Sequence, residues 1–115
     1  MKKRSFRLYL KDILEAIEKI NNYTKNLSFE EFSQNTMIVD AVIRNFEIIG
    51  EATKHIPEEI RKSYPEIPWK EMAGMRDKMI HEYFGVDLEI VWKTIKIRLP
   101  QILLLLEQVY DSLNK

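Results

Sequence analysis

The sequence contains no cysteine. Disulfide frameworks, thiolate zinc sites and cysteine nucleophiles are therefore excluded. Glycine and proline are scarce, three and four in 115 residues, too few for the turn-rich connections of a β-sandwich. Neither sign of charge is in excess: 18 Lys plus Arg meet 18 Asp plus Glu. A dedicated duplex-DNA binder normally carries a surplus of basic side chains, so the balance argues against that class but leaves open RNA handled at one local site. Long apolar runs are also missing. The longest, Ile102 to Leu106, falls far short of a membrane span. No apolar stretch of signal-peptide length follows Met1-Lys2-Lys3-Arg4. The expectation is a soluble, cytoplasmic protein with no membrane partner.

What is present is 45% hydrophobic and 31% charged, a balance that excludes disorder. The length suits one domain over residues 1–115, burying roughly two-thirds of its unfolded surface. Apolar residues at Phe6, Leu10, Ile13, Leu14, Ile17 and Ile20 predict a helix to about Tyr23. Ser28 and Glu31 fit a capping box that starts a short helix through Phe32. Asn35 or Thr36 can cap a long helix ending near His55, before Pro57. Pro57-Glu58-Glu59 opens a short helix through Lys62, and Tyr64 to Pro68 reads as a rigid connector. Trp69 to about Glu82 predicts a continuous helix that Gly85 would terminate. Asp87 caps a last helix reaching nearly to the C-terminus, kinked where Pro100 releases the carbonyl of Lys96. The architecture expected is an all-α bundle of four main helices plus short ones.

Some residues break these patterns. On the Trp69–Glu82 helix, Met72, Met75, Met79, Ile80 and Tyr83 form an apolar stripe with Trp69, and Arg76 falls in its middle. A guanidinium there must snorkel, pair with a carboxylate or face a polar cleft. His81 lies five residues on, about 140° around an ideal helix, so it would not converge with Arg76 on one straight helix. With an unperturbed pKa near 6.5, it is still the best acid–base candidate. Gly74 shares its face, and a glycine inside a helix suggests close approach of another element.

The helix before it carries a narrow polar stripe of Asp40, Arg44, Glu47, Glu51 and His55. This is either a solvent face with Asp40–Arg44 and Glu51–His55 pairs, or a face that meets and orients Arg76 and His81. His55, at the helix end, suits interaction with the C-terminal dipole. Gly50, mid-helix near Ile43 and Phe46, suggests a close helix crossing. In the last helix Trp92, Ile95, Leu99, Leu103 and Leu106 have core spacing, while Ile102 to Leu106 is apolar on every side, as a buried segment or a subunit interface would be. There is no phosphate-binding loop, HExxH, GxSxG, EF-hand loop or pair of histidines at metal spacing. No metal site or cofactor is expected.

The string Gly74-Met75-Arg76-Asp77-Lys78-Met79-Ile80-His81-Glu82-Tyr83 resembles the R-x4-H-x-Y motif of the HepT-like toxins, members of the HEPN superfamily of all-α ribonucleases. Arg44 to Ala52, Ile67-Pro68-Trp69, Val91-Trp92 and Leu99-Pro100 match the same family in order and spacing. The resemblance implies a HEPN-like bundle forming a two-fold homodimer, with Arg76 and His81 from the two chains lining a shared cleft. It implies metal-independent cleavage of RNA by 2′-OH attack, leaving a 2′,3′-cyclic phosphate. It also implies the toxin half of a type VII-like toxin–antitoxin system, whose nucleotidyltransferase antitoxin adenylylates Tyr83. Asp77 departs from the family, which usually has Asn there. A carboxylate at that position can hold Arg76 or His81, or weaken phosphate binding. Arg44, Glu47 and Glu51 are the supporting candidates. The alternative is a catalytically inactive HEPN module that docks a nucleotidyltransferase and a nucleotide.

Overall fold

A computed structural model describes residues 5–84 and 87–113, and for residues 82–84 the backbone alone. The described residues contain helices and no strand: α1 (Phe6–Thr24), α2 (Phe29–Gln34), α3 (Thr36–Lys54), α4 (Glu58–Ser63), α5 (Trp69–Ala73), α6 (Met75–Phe84), α7 (Leu88–Lys93), a π-helical turn (Thr94–Arg98) and α8 (Leu99–Leu113). The all-α bundle is as expected. None of these helices is long and apolar enough to cross a membrane.

The helix starts follow from local chemistry. Ser28 and Glu31 form the reciprocal capping box, satisfying two backbone donors that helix geometry leaves without partners. The Asn35 side chain accepts from the Ile38 amide and starts α3, and Asp87 does the same for α7 through Ile90. α1 packs on α3 and α8, and α3 also meets α5 and α6. Leu10, Ile13, Ile17 and Ile20 of α1 are fully buried with Phe46 and Ile49 of α3 and Leu99, Ile102 and Leu106 of α8. Met72, Met75 and Met79 join the same core, as the apolar stripe predicts.

Two expectations change. The helix from Trp69 is not continuous: it breaks at Gly74, between α5 and α6. A Cβ on Gly74 would meet only the Lys70 and Glu71 carbonyl oxygens, at 3.6 and 3.7 Å. Among the described residues no other helix comes within 4 Å of that position, and Gly74 marks the break between α5 and α6. The last helix is also remodelled. Pro100 has no N–H, and its ring would collide with the carbonyl four residues back. The chain widens into the π turn just before it, where the Leu99 amide bonds to the Thr94 carbonyl five residues earlier. The expected stop at Gly85 lies outside the described residues.

Arg98, at the end of that turn, clamps α5. Its Nε and Nη2 donate to the Glu71 carboxylate at 2.7–3.0 Å, and Nη1 donates to Gln101 at 2.8 Å. These charge-assisted bonds hold the Glu71 carboxyl below the usual carboxylate range against the opposing effect of partial burial, with Lys78 adding to the lowering. They raise Arg98 in turn.

Candidate active site

Arg76 is seated by α3. Gly50 faces the α5–α6 junction so closely that a Cβ on it would lie 3.2 Å from both the Arg76 N and Cβ, and 3.3 Å from the Ala73 carbonyl oxygen. Any side chain there would force the facing backbone to give by a few tenths of an ångström, so glycine suits this close approach. One turn earlier on the same face, Glu47 Oε2 lies 3.7 Å from Arg76 Nε. A single turn of α3 thus fixes both the backbone of Arg76 and the direction of its side chain. The close crossing expected at Gly50 is present, and its partner is the backbone of the motif arginine.

The guanidinium in the apolar stripe is resolved by partial exposure and pairing. Its side chain is 43% exposed, with Glu47 at 28%. Arg76 Nη1 also donates to Asp77 Oδ1 at 3.2 Å, and Arg44 Nη1 approaches Glu47 Oε2 at 3.9 Å. Arg44, Glu47, Arg76 and Asp77 form a chain of alternating charges with no net charge. Three of the four groups are well exposed and two of the contacts exceed hydrogen-bond length. Such pairs contribute about 0–1 kcal/mol each. The guanidinium is held in place but can exchange a carboxylate for another anion.

The other candidates are placed as follows. His81 lies on α6, exposed, with no hydrogen bond or ion pair among the described residues. Because Arg76 and His81 both fall after the Gly74 break, the angle of about 140° between them remains. Tyr83 is in the last turn of α6, and its side chain lies outside the described residues. Glu51 sits a turn beyond Glu47 and pairs with Lys54 at 4.0 Å, not with His55. The dipole role expected of His55 is filled by Arg61, whose guanidinium donates to the carbonyls of Thr53, Lys54 and Ile56 at 3.0–3.2 Å. His55 instead stacks on Tyr9, with ring centroids 4.9 Å apart and planes within 12°. Tyr9 carried no signal in the sequence beyond an aromatic on α1.

A family model described as ribonuclease HepT-like matches residues 13–109. The chain is 55% identical over 102 residues to a protein of Methanocaldococcus jannaschii provisionally named an RNase, covering 89% of this chain and 84% of that one. A second M. jannaschii protein with the same provisional name is 50% identical over 115 residues, covering 100% and 99% of the two chains. A Thermococcus cleftensis protein named Probable ribonuclease HepT is 53% identical over 100 residues, covering 87% and 91%. No solved structure matches the chain. The chain belongs to the HepT-like ribonuclease family.

Proposed function

We propose that this protein is an endoribonuclease toxin that cuts RNA with the nucleophile RNA itself supplies. The observation that carries the reading is the seating of Arg76: Gly50 and Glu47 aim a half-exposed guanidinium outward, five residues before an exposed histidine. The family and the provisional RNase names of its relatives supply the substrate class.

The chemistry follows from the residues. Arg76 binds the scissile phosphate through paired N–H donors and stabilises the charge that develops on it. His81 takes the proton from the ribose 2′-OH as the 2′-oxygen attacks phosphorus, and returns it to the 5′-oxygen as the P–O5′ bond breaks. The products are a 2′,3′-cyclic phosphate and a 5′-OH, and no metal ion is required.

Arg76 and His81 diverge on one helix, so the working site is composite, formed by a two-fold homodimer. Ile97 and Leu104, each 60% exposed on the side of the bundle formed by the π turn and α8, provide apolar surface for such pairing. A nucleotidyltransferase antitoxin silences the enzyme by adding AMP to Tyr83.

One observation favours the inactive binding module instead. Arg76 is already bonded to Asp77 and faces Glu47, and both carboxylates compete with a phosphate.

The test is cleavage of single-stranded RNA by the purified protein in excess EDTA. Arg76→Ala and His81→Ala should each lose at least about a hundredfold. Mixing the two inactive chains should restore activity if the Arg and His come from opposite chains. Cleavage abolished by EDTA, or untouched in both variants, overturns the reading.

A further inference from the structure

Beside the Arg76 charge chain, α1 and α3 form an open cleft of about 200 Å³ that the proposed chemistry does not use. Tyr9, Arg44, Ile48, Glu51, Ala52 and His55 are among the residues lining it. A cavity of about 150 Å³ already accepts a benzene ring, so this one has room for a flat heterocycle.

Three features suit it to a nucleobase. The Tyr9 and His55 rings lie stacked in its wall, a platform that can extend to a further ring. Ile48 and Ala52 give it an apolar floor. Glu51, at the rim, offers a carboxylate to the N–H donors on a base edge, and its contact with Lys54 at 4.0 Å is loose enough to yield. The position is equally specific. Arg44 lines the cleft and also reaches Glu47 Oε2, the same oxygen that faces Arg76. The cleft therefore opens one arginine away from the guanidinium that would hold the phosphate.

We propose that the Tyr9–His55 cleft is a base-binding subsite, taking one unstacked nucleobase of single-stranded RNA next to the phosphate held at Arg76. Arg44 bridges the two, facing the adjoining backbone phosphate. Guanine is favoured most: its N1–H and 2-amino donors lie side by side on one edge, and Glu51 can only accept, whereas the other bases offer it no such adjacent pair.

The inference rests on the reading of Arg76 and His81 as the cleavage site, and two measurements separate them. The first is kcat/KM on a short RNA carrying guanine beside the scissile bond, against the same RNA abasic there. The wild-type ratio should be about tenfold, the scale of one base–aromatic stack. His55→Ala should bring it close to one, and Tyr9→Phe, which keeps the ring, should retain most of it.

The second needs no cleavage. The chain has two histidines, His55 and His81, so their ring protons report the two sites separately by NMR. Titration with a 2′-deoxy trinucleotide containing guanine should shift His55 upfield by ring current, and the abasic trinucleotide should not. A shifted His55 in a protein that cuts no RNA supports the subsite and refutes the nuclease. An RNA-cutting protein whose His55 ignores the base, and whose base dependence survives His55→Ala, overturns the subsite.

Discussion

Gly50 and Arg76 touch backbone to backbone: a Cβ on the glycine would come within 3.2 Å of the arginine's own N and Cβ. Adding one methyl group at Gly50 should therefore push the motif helix outward. Alanine gains about 1 kcal/mol in helix propensity, but overpacking against backbone atoms costs about 1–3 kcal/mol. Gly50→Ala should lose about 1 kcal/mol of stability in urea unfolding and reduce RNA cleavage well beyond that loss. Gly74→Ala is the matched control. There the new methyl meets only ordinary contacts at 3.6 and 3.7 Å, on right-handed helical backbone, and the variant should gain about 0.4–1 kcal/mol.

Much of the frame was legible because it is set by near neighbours in sequence. The Ser28–Glu31 box, the Asn35 and Asp87 caps and the apolar spacing of α1 and α3 all act within a few residues. The break at Gly74 was not legible, since a lone glycine inside a helical pattern is as consistent with tolerance as with interruption. Two mid-helix glycines read alike, and only tertiary packing distinguishes Gly50, which is crowded, from Gly74, which is not. Pro100 announced a disturbance, but whether it becomes a kink or a π turn depends on how α8 keeps Leu99, Ile102 and Leu106 in the core. In the site, the motif named Arg76 and His81, and the polar stripe supplied Glu47. The pairing of Tyr9 with His55 joins positions far apart in sequence and left no periodic trace.

Asp77 competes for the guanidinium at 3.2 Å. Asp77→Asn removes a charge and keeps the size. It should raise kcat/KM for RNA about fivefold, the equivalent of one exposed ion pair of ~1 kcal/mol, with little change in unfolding. Unchanged or lower activity would make Asp77 a supporting residue and not a brake.

The Glu71–Arg98 clamp gives a pH signature. Hydrogen bonds from Arg98 lower the Glu71 pKa in the folded state, so the unfolded chain binds the proton more readily. The stabilisation is then complete above the ordinary glutamate value of about 4.3 and is lost as pH falls through the lowered one. Wild type should exceed Glu71→Gln by about 0.5–1 kcal/mol at pH 7. The difference should shrink toward zero as pH falls below about 4, read from urea unfolding at a series of acidic pH values.

Tyr83 tests the regulatory half of the proposal. Co-expression with a cognate nucleotidyltransferase should add AMP units to it, each bringing a phosphate that can occupy Arg76. RNA cleavage should fall as modification rises, and Tyr83→Phe should cut RNA yet resist silencing. Peptide mass spectrometry locating the AMP on Tyr64 or Tyr110, or silencing that survives Tyr83→Phe, would leave Tyr83 without that role.

In the proposed mechanism Arg76 and His81 make RNA cut itself. This is tested most directly with a DNA oligonucleotide containing a single ribonucleotide, incubated with the purified protein in EDTA. One cut is expected, on the 3′ side of the ribose, leaving a 2′,3′-cyclic phosphate and a 5′-OH, and no cut with Arg76→Ala or His81→Ala. Cleavage of the all-deoxy strand, or a product without the cyclic phosphate, would contradict it.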